Sequence, residues 1–567
     1  MRSDKASARY LVELARQHGV GDAVICHGSR NAPLILSLNE EESLRCYPLA
    51  DERVAAFFAL GIAQRTGSPV IVACSSGTAT LNMAPAAAEA YYQRIPLLLL
   101  TADRPDEWID QMDGQTIRQE RVFEPHVRHS VQLPLEPTTR DALWHTERSI
   151  NEALNASLYP IPGPAHINVP FREPLYEAFE GEELRVPKAF TTAPNPVGMN
   201  EGTLRELEQE WEASERIMLL VGEKGPHPAL DEKLDLLSRE QGLIVLAENL
   251  SNLDLSSAIH HIDRTLKTIS QAECPDHAPD LLISIGGAIV SKKVKAFLRE
   301  NPPRAHWRVD PCGEAIDTYQ SLTRILPIPP GRLFDGFMNC GNREKRLAFR
   351  DRWLEKERIA RECHNSYLQM TPWSDLKAFD LILRRIPGGG TLHAGNSSPV
   401  RYLQLIQPRP DLLHRGNRGT SGIDGVISTA AGSAARSEGL VTGISGDIGF
   451  FYDSNALWNP HLPNNLRLIL INNGGGGIFR IIEGPSATKE LDAFFEGVHE
   501  LSAEGIAKTF GLPYYFCSDP KGLEEGLEKL YGEANGAALL EVRTPREEND
   551  RVLKEYFHYL ESQKPIS

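Results

Sequence analysis

Residues 446–479 read GDIGFFYDSNALWNPHLPNNLRLILINNGGGGIF, and the reading of this stretch decides the fold. An apolar run at 441–444 stops at Gly446-Asp447, and a second at 466–471 stops at Asn472-Asn473-Gly474. Short apolar runs ended by turn residues mark buried parallel strands. Asp447 and Asn473 then lie at the carboxyl ends of two strands, where open α/β sheets bind ligands. One carboxylate and one amide oxygen suit a hard cation such as Mg²⁺, which takes oxygen ligands and commonly shares them with a phosphate. The glycines at 474–477 permit a sharp turn and close approach to a ligand. Taken singly these signals are ordinary, since an Asp after a strand caps helices and Asn-Asn-Gly is a common turn.

The same alternation extends outward in both directions. The third unit, 360–567, has strand patterns at 391–393, 412–414, 441–444, 466–471 and 537–542. Asn396-Ser397-Ser398 follows the first of these, with Arg401 one helical turn on. Residues 417–425, NRGTSGIDG, follow the second and precede a helix at 426–435, so their backbone N–H groups can face a diphosphate. A charged helix pattern at 343–369 comes before this unit. A second unit, 200–342, has strand patterns at 217–221, 243–247, 281–285 and 307–309. Lys292 and Lys293 follow its third strand, with a solvated helix start as the plain alternative, and no G-x-G-x-x-G opens a helix there. Residues 186–200, rich in Pro and Thr and without periodicity, read as a linker. The 547–567 tail carries mixed charge and aromatics and suggests no role.

The first unit, 1–185, has strand patterns at 23–26, 70–74, 97–101 and 166–169. Ser29-Arg30 follows the first, Ser75-Ser76-Gly77 the second, and Arg104 the third, with Gln115 further along that polar loop. Asp51-Glu52 opens a strongly apolar helix at 54–63, where acidic residues favour the helix dipole. Glu52 directly precedes a face with almost no polar residues, a setting that disfavours the charged form of a carboxylate.

The chain as a whole therefore reads as α/β, with three doubly wound parallel-sheet domains. Its 567 residues suit about three domains. A net charge of −16 disfavours nucleic acid and anionic membrane as partners, so an anionic substrate needs basic residues gathered locally. No apolar run approaches the roughly 18 residues of a membrane span, and the charged N-terminus does not read as a signal peptide. Eight cysteines without a CxxC pair suit reduced thiols in the cytoplasm.

In this order and spacing, Gly446-Asp447 and Asn472-Asn473 resemble the diphosphate-binding motif of thiamine diphosphate enzymes. Ile448 stands where that motif has a second Gly, a position that is not a ligand in the family. The resemblance spans the whole chain through GSRNAPL (28–34), DERVAAFFALG (51–61), TADRP (101–105), HINVPFREPL (166–175), GNSSPVR (395–401), NRGTSGIDG (417–425) and NNGGGGIF (472–479). These strings are similar to those of the decarboxylase-like branch that serves menaquinone biosynthesis, except that His27 replaces the usual Pro before GSR.

The resemblance implies a pyrimidine domain at 1–185, a central domain at 200–342 and a pyrophosphate domain at 360–567. It implies thiamine diphosphate and Mg²⁺ (or Mn²⁺) as cofactors. The implied reaction is decarboxylation of 2-oxoglutarate and addition of its succinyl carbanion equivalent to isochorismate. Asp447, Asn473 and the carbonyl of Gly475 would hold the metal, and Glu52 would bond N1′ of the aminopyrimidine. Ser421, Gly422, Ile423, Asp424, Gly446 and Ile478 would complete the cofactor site, Ile423 keeping the cofactor bent. Ser29, Arg30, Arg104, Gln115, Lys292, Lys293, Ser397, Arg401, Arg418, Ile478 and Phe479 would line the substrate pocket. The resemblance further implies a homodimer or homotetramer with each site shared between chains. Another thiamine diphosphate carboligase or simple 2-oxo acid decarboxylase, a non-catalytic cofactor- or metabolite-binding protein, and a flavin- or NAD-dependent oxidoreductase are the alternatives.

Overall fold

The computed structural model describes residues 2–181, 185–193, 198–338, 340–341, 343–481 and 484–562. The first sheet holds β1 (Asp22–Cys26), β2 (Arg45–Leu49), β3 (Val70–Cys74), β4 (Leu97–Asp103), β5 (His129–Gln132) and β6 (Ala165–Pro170). The second holds β7 (Ile217–Val221), β8 (Ile244–Ala247), β9 (Leu281–Ile285), β10 (Ala305–Val309) and β11 (Arg324–Leu326). The third holds β12 (Thr391–Ala394), β13 (Leu413–Gly416), β14 (Val441–Gly446), β15 (Leu466–Asn472), β16 (Tyr514–Cys517) and β17 (Ala538–Arg543). Every ladder pairs its strands in parallel. The α/β class with three parallel sheets is as the sequence indicates.

The strand orders are β2-β1-β3-β4-β6-β5, β11-β10-β9-β7-β8 and β13-β12-β14-β15-β17-β16. Renumbered from each unit's start, the first and third are the same order. In both, the first two strands run in reverse order beside the third, which creates the crevice where such sheets bind ligands. The central strands are apolar runs buried on both faces, as in VIVAC of β3 and LRLILIN of β15.

Four strands escape the sequence reading: β2, β5, β11 and β16. Each lies at a sheet edge and is partly exposed, so none carries an apolar run. The segment read as a linker is strapped down where it is described. Lys188 O and Phe190 O accept bonds from Asn151 Nδ2 (3.0 Å) and Asn155 Nδ2 (2.7 Å), while 194–197 lie outside the described residues. Helix Arg343–Met370 joins two cores, with Phe349 and Trp353 in the second and Tyr367 and Leu368 in the third. The C-terminal stretch forms helix Arg546–Ser562, which seats Val552, Tyr556 and Leu560 in the third core.

The first and third units meet through two helices. In Glu52–Thr66, every residue from Val54 to Ala63 is buried, and Val426–Ala435 is buried through Ala434. A helix buried along its whole central length must be covered on every side, and each helps to cover the other.

Candidate active site

The loops after β14 and β15 are bound together by one carboxylate. Asp447 begins helix Asp447–Tyr452 and is 2% exposed. Its Oδ2 accepts the backbone N–H groups of Gly474 (2.8 Å) and Gly475 (2.9 Å), and its Oδ1 accepts that of Ile448 (2.7 Å). Gly474 and Gly475 have φ of 81° and 152°, which a side chain would strain. Asn473, also buried, donates Nδ2–H to Asp375 Oδ2 at 2.9 Å. Its carbonyl oxygen then faces the other way.

A segment that carried no sequence signal closes over the glycines. Gly476 N donates to Glu496 O (2.7 Å), and His499 N donates to Gly474 O (3.1 Å). Leu501 N donates to His499 Nδ1 at 3.2 Å, which leaves the proton on Nε2, 3.5 Å from Asp447 Oδ2. Glu496 is buried beside Arg480 and Arg546. Ile478 is buried at the start of helix Ile478–Ile481, and Phe479 packs on Phe495 with ring centroids 5.9 Å apart.

The 417–425 loop is threaded by side-chain bonds. Asn396 Nδ2 donates to the carbonyls of Asn417 (2.7 Å) and Gly422 (2.6 Å), and Arg418 Nη1 donates to Asn396 Oδ1 (2.6 Å). The amides of Gly419 and Thr420 do not face a ligand as the sequence suggests; they donate to Glu89 of the first unit at 2.6 and 2.7 Å. The loop's free end is Ser421 (φ 62°), Gly422, Ile423 and Asp424. Ile423 is 37% exposed, and its carbonyl is 3.3 Å from where a Cβ on Gly449 would sit. It therefore overhangs the helix that Asp447 starts.

Basic residues gather in pairs. In the first unit Arg30 is buried, with Nη1 on Phe171 O and Nη2 on Glu173 Oε1, both at 3.0 Å. Burial and the nearby charge of Arg104 lower its pKa. Arg104 Nε donates to Gly114 O (3.0 Å), and the backbone of Gln115 (φ 57°) lies against Gly77. Ser29 is exposed beside them. In the third unit Arg401 donates to Ser397 O (2.6 Å), and Ser397 has φ 69°. Burial and the charge of Arg418 lower the pKa of Arg401. Each pair holds two like charges together, which suits a bound carboxylate.

Glu52 is half-buried, and its Oε2 accepts Asn82 Nδ2 at 3.3 Å. Its neighbours grip helix Asp447–Tyr452 and the turn after it, with Arg53 Nη2 on Tyr452 O (2.8 Å) and Asp51 Oδ2 on Asn455 Nδ2 (2.9 Å). Within one chain Glu52 and Asp447 thus flank opposite ends of a helix about 9 Å long. Lys292 is exposed, whereas Lys293 lies over the Phe557 ring at 4.3 Å. A cavity of about 1690 Å³ between the three units is a different place from the Asp447 loops. Arg418, Lys295, Arg94 and Glu223 line it, and Glu52, Asp447 and Asn473 do not.

A sheet edge that gathers a buried carboxylate, an oriented amide and a glycine turn is the architecture of a cofactor-diphosphate site, and comparison gives the class. The model for the N-terminal TPP binding domain of thiamine pyrophosphate enzymes matches residues 6–124, and that for the middle domain of thiamine pyrophosphate enzymes matches 209–366. The chain is 40% identical over 562 residues to the 2-succinyl-5-enolpyruvyl-6-hydroxy-3-cyclohexene-1-carboxylate synthase of Flavobacterium johnsoniae, covering 98% of this chain and 99% of that one. It is 39% identical to the enzymes of the same name from Christiangramia forsetii (98% and 99% covered) and Porphyromonas gingivalis (98% and 98%). The chain belongs to this synthase family of thiamine diphosphate enzymes.

Proposed function

We propose that the protein decarboxylates 2-oxoglutarate and adds the succinyl unit to isochorismate, giving 2-succinyl-5-enolpyruvyl-6-hydroxy-3-cyclohexene-1-carboxylate and CO₂ in menaquinone biosynthesis. The observation that carries the reading is Asp447 clasping the amides of Gly474 and Gly475 beside an Asn473 whose carbonyl is turned outward. One carboxylate with neutral oxygens around it fits Mg²⁺ on a diphosphate. Asp447, Asn473 and the Gly475 carbonyl would hold that ion, and Ser421, Gly422, Asp424, Gly446 and Ile478 would border the cofactor. Thiamine diphosphate supplies the acidic carbon and the electron sink for decarboxylation. Glu52 would hold the proton at N1′, and Ile423 would keep the cofactor bent. Both substrates carry two carboxylates, which the paired guanidinium groups of Arg30 with Arg104 and Arg401 with Arg418 can bind. Ser29, Gln115, Lys292, Lys293, Ser397 and Phe479 complete the pocket.

The division at 1–185, 200–342 and 360–567 assigns aminopyrimidine binding to the first unit and diphosphate binding to the third. The protein works in the cytoplasm as a homodimer or homotetramer, with Glu52 and Asp447 of one site supplied by different chains. Exposed apolar side chains on the third unit, Phe494 (83%) and Trp458 (58%), give such an assembly surface to bury. An active monomer in a sedimentation run contradicts this arrangement.

The test is product mass after mixing protein, thiamine diphosphate, Mg²⁺, 2-oxoglutarate and isochorismate. The adduct is expected. Fast CO₂ release without isochorismate, and no adduct, would instead mark a simple 2-oxo acid decarboxylase.

A further inference from the structure

Asn473 can serve a cation only if its oxygen, not its nitrogen, faces the site. The two ends of a side-chain amide have nearly the same shape, so the choice belongs to whatever the other end touches. Here that partner is Asp375, 2% exposed, whose Oδ2 accepts Asn473 Nδ2–H at 2.9 Å. Its other oxygen accepts Thr544 Oγ1–H at 2.6 Å. Asp375 N donates to Asn549 Oδ1 (2.7 Å), and Asn549 Nδ2 reaches Thr544 Oγ1 (3.3 Å). Thr544 N in turn donates to Asn472 O (3.2 Å).

An Asp in the first turn of a helix ordinarily serves the helix end. Here Ser374 is the cap, its side chain accepting Lys377 N, and the Asp375 carboxylate is turned away to Asn473 and Thr544. An ionised carboxylate only accepts hydrogen bonds, so it can take the NH₂ end of Asn473 and cannot take the oxygen.

We propose that Asp375 is a positioning residue that sets the orientation of the Asn473 amide and so presents its carbonyl oxygen to the divalent cation. This rests on the metal role of Asn473 argued above. Partners of this kind commonly govern 10- to 100-fold in metal affinity.

The test is Mn²⁺ binding to the full-length protein in the presence of thiamine diphosphate, read from the electron paramagnetic resonance signal of free Mn²⁺. Asp447→Ala checks the underlying reading: if it binds Mn²⁺ as the parent does, the metal site itself is misassigned. With that control passed, Asp375→Leu is expected to lose about 10- to 100-fold in Mn²⁺ affinity. Asn473→Asp is expected to lose affinity as well, because it sets a second carboxylate against Asp375. The exchange D375N/N473D is expected to recover binding to within about threefold of the parent. In it an amide at 375 donates to a carboxylate at 473 and still accepts from Thr544, so the same bonds form in reverse. A purely structural role for Asp375 predicts no such recovery. Parent-like affinity in Asp375→Leu, or an exchanged pair no better than Asn473→Asp, overturns the proposal. The near-isosteric pair decides the matter if Asp375→Leu does not fold.

Discussion

Gly61 and Gly432 each press against the backbone of the other's helix. A Cβ on Gly61 would lie 2.0 Å from Thr429 O, and one on Gly432 would lie 1.9 Å from Phe58 O. Neither neighbour is a side chain that can swing away. Gly61→Ala and Gly432→Ala are each expected to destabilise the protein by about 3 kcal/mol or more, the upper end for overpacking. Gly532→Ala, at a helix end with open space around it, is the control and should be neutral or stabilising by up to about 1 kcal/mol. Denaturant midpoints decide between these outcomes.

Glu52→Gln keeps the shape of the side chain and removes the acid. Turnover should fall by roughly 10²- to 10⁴-fold, the usual value of a positioned acid–base group. Thiamine diphosphate binding, followed by tryptophan fluorescence, should stay close to the parent's. Activity near the parental level would remove Glu52 from the proposed role.

Arg104→Gln and Arg401→Gln each withdraw one guanidinium from a pair proposed to bind a substrate carboxylate. A hydrogen bond to a charged group is worth about 1.5–3 kcal/mol, so KM for a dicarboxylate substrate should rise about 10- to 100-fold. Cofactor affinity should not change, which steady-state kinetics and cofactor titration together would show.

His393 is buried in β12 with its Nε2 unpartnered, and burial, with help from Arg415, holds its pKa down to about 3. In the unfolded chain a histidine titrates near 6.5. Between these values only the unfolded state takes the proton, so stability is lost as the pH falls below 6.5. From pH 7.5 to 5.0 this one group costs about 2 kcal/mol. His393→Gln lacks that term. Its stability should therefore fall less than the parent's over the same range, whatever its offset at pH 7.5. Equal slopes in the two proteins would show that the ring is charged or solvated in the fold.

The meeting of the loops after β14 and β15 was legible because its signals are local. A strand that stops at Asp447 and another that stops at Asn473 carry their own punctuation, and adjacent pairing of β14 and β15 brings the two ends together. Four of the six edge strands were not legible; β2, for instance, contains Arg45 and Pro48, and β16 leaves Phe516 54% exposed. An edge needs only one covered face, so its pattern is weak. Asp375, Glu496, His499 and Glu89 were also invisible. Each acts on a residue far along the chain, and an acid or a histidine in a mixed-charge segment reads as surface. The 417–425 loop shows the cost: its glycines marked an anion cradle, but Glu89 already holds two of its amides.

The strand order shared by the first and third sheets has one more consequence. Helix Glu52–Thr66 follows β2 and helix Val426–Ala435 follows β13, which are the same strand of the common plan. The seam is therefore built from topological counterparts, as it would be if a single-domain ancestor had paired with itself. One half now carries Glu52 and the other Asp447 and Asn473. Separating the two into independent modules would expose in each a helix whose central residues are all buried in the intact chain.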